Sequence, residues 1–186
     1  MTTRQASAPH PTQPRTAASN TFVPDTPVHH TRHTTPLGEV ILAATTQGLV
    51  GCWFHNQAHL PNRQGWQADD TSALLRHAKD QLQRYFAGEL QAFDLPLHFL
   101  WGTPFQQSVW QALQRIAYGQ TTTYAMLARQ LSRPQASRAV GAAVGRNPLS
   151  LIIPCHRVLG ARGALTGYAG GLERKQHLLQ LESAHA

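Results

Sequence analysis

From Leu95 to Leu172 the chain carries seven arginines and not one Asp or Glu. A span that cannot neutralise its own charge must keep most of its cations at a surface, which limits how it can pack and points to a polyanionic partner. The imbalance is local. Residues 1–100 hold seven Lys or Arg against seven Asp or Glu, whereas residues 101–186 hold nine against two, so the whole net charge of +7 belongs to the second half. Clustered arginines gain free energy from counterion release on a phosphate backbone, which favours nucleic acid or an anionic membrane surface.

The two cysteines, Cys52 and Cys155, cannot build a disulfide framework, and no CxxC or HExxH spacing suggests a metal site. The uninterrupted apolar runs are far shorter than the roughly 18 residues that cross a bilayer, and no signal-type hydrophobic core opens the chain. A protein of a reducing, cytoplasmic compartment without membrane contact is expected. Residues 1–33 are rich in Thr, Pro, Ser, Ala and His and poor in large apolar side chains, so they read as a disordered tail. His29, His30 and His33 read there as solvated histidines, with metal binding as the weaker option.

Beyond the tail, Val40–Ala44 and Leu49–Phe54 are β-prone runs around a short turn, predicting a hairpin in which Cys52 is a small core residue. Leu74, Leu75, Ala78, Leu82, Tyr85 and Phe86 recur at helical spacing before the stop at Gly88. Phe93, Leu95, Leu97 and Phe99 alternate as a strand would. These elements predict a small α/β domain over residues 34–100 with nothing catalytic in it. A mainly helical domain follows over residues 101–186. Thr103-Pro104 starts a helix that is expected to run to Gly119, with Phe105, Val109, Trp110, Leu113 and Ile116 on one stripe. Helices from Tyr124 to Leu131 and from Gln135 to Gly145, separated by Ser132-Arg133-Pro134, suggest helix-turn-helix. The second is built of small residues around Arg138, which suits close approach to a minor groove or backbone better than base readout; tight core packing is the competing explanation.

After an apolar, strand-like run, Leu149–Ile153, comes Pro154-Cys155-His156-Arg157. A thiol between imidazole and guanidinium in a cationic stretch is expected to ionise, and the thiolate is the nucleophile. Glu182 lies three and four residues beyond Leu179 and Leu178, so on a helix starting at Gly171 it would share their apolar side, where a carboxylate needs a partner; a frayed terminal Glu exposed to water is the stronger reading of that residue alone.

Pro154-Cys155-His156-Arg157 resembles the active-site signature of the O6-alkylguanine-DNA alkyltransferases, the methylated-DNA--protein-cysteine methyltransferase family. Gly102-Thr103-Pro104-Phe105-Gln106, Val109-Trp110, Tyr118-Gly119, Thr123-Tyr124, Arg138-Ala139-Val140-Gly141, Asn147-Pro148 and Gly167-Tyr168-Ala169-Gly170-Gly171 are similar to further parts of its pattern. Thr35-Pro36-Leu37-Gly38 and Gly48-Leu49 resemble its N-terminal domain, so the likeness runs from about residue 34 to 182.

The resemblance implies a ribonuclease H-like N-terminal domain and direct repair of O6-alkylguanine in double-stranded DNA. Acceptance of O4-alkylthymine is left open. Cys155 would take the alkyl group irreversibly, so each molecule would act once. His156 would relay the thiol proton through a water, oriented by Glu182. Asn147 would be the hinge between recognition helix and active site, although Asn-Pro would also end a helix unaided. Tyr124 would crowd the target phosphate and protonate the leaving guanine, although a core aromatic is an equally good reading of that residue alone. Arg138 would fill the gap left by the flipped nucleotide. Ala139 and Gly141 would share its DNA-facing helix, and Pro154, Tyr168 and Ala169 would line the alkylguanine pocket. No metal and no cofactor is implied. A monomer is expected, with cooperative binding along DNA left open. A lesion-binding relative without transfer would lack the acceptor cysteine, so Cys155 speaks against it. A cysteine hydrolase lacks a recognisable oxyanion motif here.

Overall fold

The computed structural model describes residues 26–186. Strands β1 (His29–Thr35), β2 (Gly38–Thr45) and β3 (Gly48–Phe54) form an antiparallel meander, and the short β4 (Gln67–Ala68) pairs parallel to β1, giving the order β3-β2-β1-β4. The predicted hairpin is present, but the tail is shorter than expected. His29, His30 and His33 lie in β1, where alternation sends His30 to the face opposite the other two. They therefore form neither a solvated tail nor a shared metal site. Residues 1–25, the rest of the expected tail, lie outside the described residues.

Helix α1 (Ala73–Phe86) packs across β1 and β2, burying Leu75, Ala78, Leu82 and Tyr85, and ends before Gly88 at φ 76°. A bulge between Ala43 and Ala44 sets two residues of β3 against one of β2. The extra residue reverses side-chain parity, so Leu49 and Cys52 face the same core despite their odd separation, while Val50 and Trp53 face the other.

Phe93–Phe99 does not form the expected strand. Pro96 has no N–H to give to a ladder, and only Pro96 O and His98 N reach the backbone of Leu49, at 2.7 and 2.9 Å. Asp94 is held instead by both ends of the Gln81 amide, each at 2.8 Å.

In the second half, α2 (Pro104–Leu113) opens with a full capping box between Thr103 and Gln106. It ends six residues short of Gly119, and turns complete the distance. Thr123 caps α3 (Tyr124–Gln130), and α4 (Ser137–Gly145) follows the break, within two residues of the predicted bounds. The Trp110 indole donates to Ala143 O at 2.8 Å and fixes α4 on α2. Two short strands, β5 (Thr122–Thr123) and β6 (Val158–Leu159), pair parallel, and α5 (Leu172–Ala184) closes the chain. Between α4 and β6, Leu149–Ile153 is a turn rather than a strand. The Asn147 side chain takes Leu149 N–H and gives to Ile153 O, which curls the segment and leaves Leu151 at φ 72°. No described helix is long and apolar enough to cross a membrane.

Candidate active site

Cys155 begins a single 3-10 turn, Cys155–Arg157, wedged between the Asn147 turn and β6. Backbone bonds from Cys52 N to Pro148 O and from Ser150 N to Cys52 O, at 2.9 and 2.8 Å, clamp this region to β3. Cys155 is 3% exposed.

The expectation of a resting thiolate is not met. Burial pushes the Cys155 thiol up to about 11, although the Asn147 side chain, the Lys175 charge and the adjacent backbone pull it partly back. The cation next to it in sequence is spent elsewhere. Arg157 gives Nε to Glu182 Oε2 at 2.8 Å and a terminal nitrogen to Oε1 at 2.9 Å, so its charge is cancelled inside the fold. Sequence adjacency overstates what that guanidinium does for the thiol.

Glu182 is where the site converges. It is 1% exposed and points inward from α5, sharing the apolar side of Leu178 rather than fraying into water. Its Oε1 also accepts from Tyr85 Oη and pairs with His156 Nε2, both at 2.7 Å, and its Oε2 accepts the Gly119 N–H at 3.3 Å. Burial works against its charge, but donors from His156, Arg157 and Tyr85 outweigh that and hold the carboxyl at about 2. The site thus contains a carboxylate.

His156 is fully buried, and desolvation lowers its pKa against the opposing pull of Glu182. The resting imidazole is neutral. Pairing of Nε2 with a carboxylate assigns the proton to that nitrogen and leaves Nδ1 as the acceptor; Nδ1 is buried and has no protein partner. A neutral ring with a free, buried acceptor, next in sequence to a protonated thiol, is chemically able to take a proton.

Lys175, also on α5, is fully buried, and burial lowers its ammonium to about 8. It donates to Val158 O, Thr166 O and Gly167 O at 2.6, 2.5 and 3.3 Å. Tyr124 reaches the same two loop carbonyls from α3, at 3.3 and 3.2 Å. The loop passes so close that a Cβ on Gly167, whose φ is +53°, would sit 2.9 Å from the Tyr124 hydroxyl.

A cavity of about 220 Å³ opens between Tyr124, Gly141, Gly145, Gly167, Tyr168 and Ala169, and Ala58 and His59 from the first half complete its wall. Tyr168 and Ala169 are therefore together, with Tyr124 and Gly141. Pro154 is not with them. It lines a separate cleft of about 560 Å³ with Phe93, Tyr118 and Arg157. On α4, Arg138, Ala139, Ala142 and Arg146 are exposed while Val140, Ala143 and Val144 are buried. The small-residue helix thus has one face in the core and a cationic face outside. Among the described residues, no three His, Cys, Asp or Glu side chains are placed to hold a metal ion.

Tyr85, Lys175 and His59 carry no site role in the sequence, and Arg157 figures there only as a neighbouring cation for the thiol. Tyr85, Arg157 and Lys175 join the site through contacts 8 to 97 residues away along the chain. No local pattern carries such information.

A family model described as the ribonuclease-like domain of 6-O-methylguanine DNA methyltransferase matches residues 28–99, and one described as its DNA binding domain matches 104–184. The methylated-DNA--protein-cysteine methyltransferase of Mycolicibacterium paratuberculosis is 47% identical over 151 residues, covering 81% of this chain and 90% of its own length. That of Haemophilus influenzae is 42% identical over 158 residues, with coverage of 84% and 87%. The crystal structure of Mycobacterium tuberculosis OGT in complex with DNA superposes with a TM-score of 0.79 at 45% identity, covering 85% of this chain and 94% of that one. With both of its halves matched, in order and nearly end to end, the chain belongs to the 6-O-methylguanine DNA methyltransferase family.

Proposed function

We propose that the chain repairs O6-alkylguanine in double-stranded DNA by moving the alkyl group once, and irreversibly, to Cys155. The observation that carries this reading is the buried Glu182–His156 pair, with Nδ1 free, next in sequence to a buried thiol. His156 accepts the Cys155 proton, through a water in the family's manner, and the sulfur attacks the alkyl carbon in line. The S–C bond forms as the C–O6 bond breaks, and the guanine leaves with the electron pair and takes a proton from Tyr124, which lines the cavity. Glu182 stays ionised and stabilises the imidazolium. Because a neutral thioether is a poor alkyl donor, whose S–C cleavage would have to expel a thiolate, the protein does not turn over.

The exposed face of α4, with Arg138, Ala139 and nearby Gly141, is the DNA-facing surface, and Arg138 takes the space of the everted nucleotide. The cavity beside Tyr168 and Ala169 receives the base. Asn147 holds the turn that joins α4 to Cys155. The chain divides at about residue 100 into an N-terminal unit that begins with β1 and a C-terminal unit that binds DNA and accepts the alkyl group. We place its work in the cytoplasm, as a monomer.

Mixing the protein with a duplex carrying O6-methylguanine and measuring intact mass tests this. One methyl per chain, mapped to Cys155 and absent in Cys155→Ala, is expected. Unchanged mass with retained DNA binding would favour lesion sensing without transfer, and repeated turnover would refute the single-use acceptor.

A further inference from the structure

We propose that Tyr85, from the N-terminal unit, is a positioning residue for alkyl transfer, setting how strongly Glu182 supports His156. The inference rests on the proposed role of His156 as proton acceptor. Tyr85 lies on α1, far from the acceptor turn in sequence, yet it is fully buried and its hydroxyl donates to Glu182 Oε1 at 2.7 Å. That oxygen is also the partner of His156 Nε2, at the same distance. Its ring is fixed by Phe86, Phe93 and Tyr118, at centroid separations of 5.4, 5.3 and 6.1 Å, so the hydroxyl is held in place by packing.

Three donors, from Tyr85, His156 and Arg157, share this oxygen and compete for its electron density. The Tyr85 O–H draws charge from Oε1, making Glu182 a weaker base toward the imidazole. When His156 accepts the thiol proton, the carboxylate then stabilises the imidazolium without taking its Nε2 proton. The groups facing this pair are few. Glu182 meets His156 and Arg157 from the acceptor turn, Tyr85 from α1, and Gly119 N–H from the loop after α2, with Tyr118 nearby in that loop. His156 is influenced by Glu182, Arg157 and Lys175, lies beside Cys155 in the chain, and meets the Tyr168 ring edge-on at 6.4 Å. Of the donors to the shared oxygen, Tyr85 alone lies outside the acceptor turn, and it carries no charge, so its removal changes the pair without adding or deleting a formal charge.

Tyr85→Phe keeps the ring and removes the donor. Oε1 becomes more basic, the imidazolium is favoured, and less His156 is neutral at a given pH. The acid limb of the single-turnover methyl-transfer rate against pH should move up by roughly half a unit, with affinity for the lesion duplex unchanged. Site-specific 3-fluorotyrosine at position 85, a stronger donor in the same ring, should move it down. Tyr118→Phe, which removes a hydroxyl that does not touch Glu182, should leave it in place. In a Glu182→Gln background, Tyr85→Phe should produce no further shift. A wild-type protein that transfers methyl, with an acid limb unmoved by either change at position 85, overturns the role of Tyr85 alone. A wild-type protein that transfers no methyl overturns the underlying reading of His156 as well.

Discussion

The two cysteines sit on either side of one backbone seam and meet opposite fates. Cys52 is a strand residue of β3 whose thiol is pushed above the ordinary range by burial, with no donor offsetting it. Cys155 is nearly as buried, but it lies on a 3-10 turn where Asn147, Lys175 and the local backbone draw its pKa down from where burial alone would put it. The seam itself joins them, since Cys52 exchanges two backbone hydrogen bonds with the turn that leads to Cys155. Burial protects a thiol in both places. What separates acceptor from core residue is a set of groups able to receive the proton and stabilise the charge once it forms.

The strongest way to break this contrast is substitution of each thiol. Cys155→Ala should abolish methyl uptake by mass, whereas Cys52→Ala should retain stoichiometric uptake; loss in the second would make Cys52 part of the site. Next in size is Glu182→Gln, which strands the buried Arg157 without its counter-charge. A loss of about 3–5 kcal/mol in urea unfolding is expected.

The same network predicts acid sensitivity with a definite sign. His156 has a folded pKa below its unfolded one, so the unfolded state binds more protons as pH drops below about 6.5, and stability falls with it. Glu182, held at about 2, adds a second loss that begins near its unfolded pKa of about 4.3 and continues down to the folded value. In Glu182→Gln the lower of these two steps should disappear from a pH series of unfolding midpoints.

Lys175→Met sharpens the comparison from the other side. It removes the cation that favours the Cys155 thiolate and frees three carbonyls, and should slow single-turnover transfer at neutral pH by about tenfold, corresponding to about 1.4 kcal/mol. An unchanged rate would limit Lys175 to loop support. The smallest effect expected is on stability in Cys52→Ala, about 1 kcal/mol for the small void left behind.

Much of this molecule is legible along the chain because local chemistry decides it. Thr103, Pro104 and Gln106 specify a capped helix start, and the apolar spacing of α1 specifies its buried face, whereas the leucines before Glu182 leave its inward turn no more than an option. Legibility fails where a partner outside the segment decides. Phe93–Phe99 alternates like a strand, but a strand needs a continuous neighbour and this segment meets only Leu49. Leu149–Ile153 is apolar enough for a strand, yet the Asn147 amide closes it into a turn. Pro154 belongs to the signature but opens on a different cavity from Tyr168, which no local pattern discloses.

The sequence by itself determined the family, the helix-turn-helix, the signature that holds Cys155 and the exposed arginines of α4, since each depends on residue type at short spacing. Only the tertiary structure decided the charge state of the site. Arg157 stands two residues from Cys155 yet is neutralised by Glu182, and a tyrosine from the other half of the chain completes that carboxylate's shell. Protonation depends on desolvation and on which groups come within hydrogen-bond reach, and both are properties of packing.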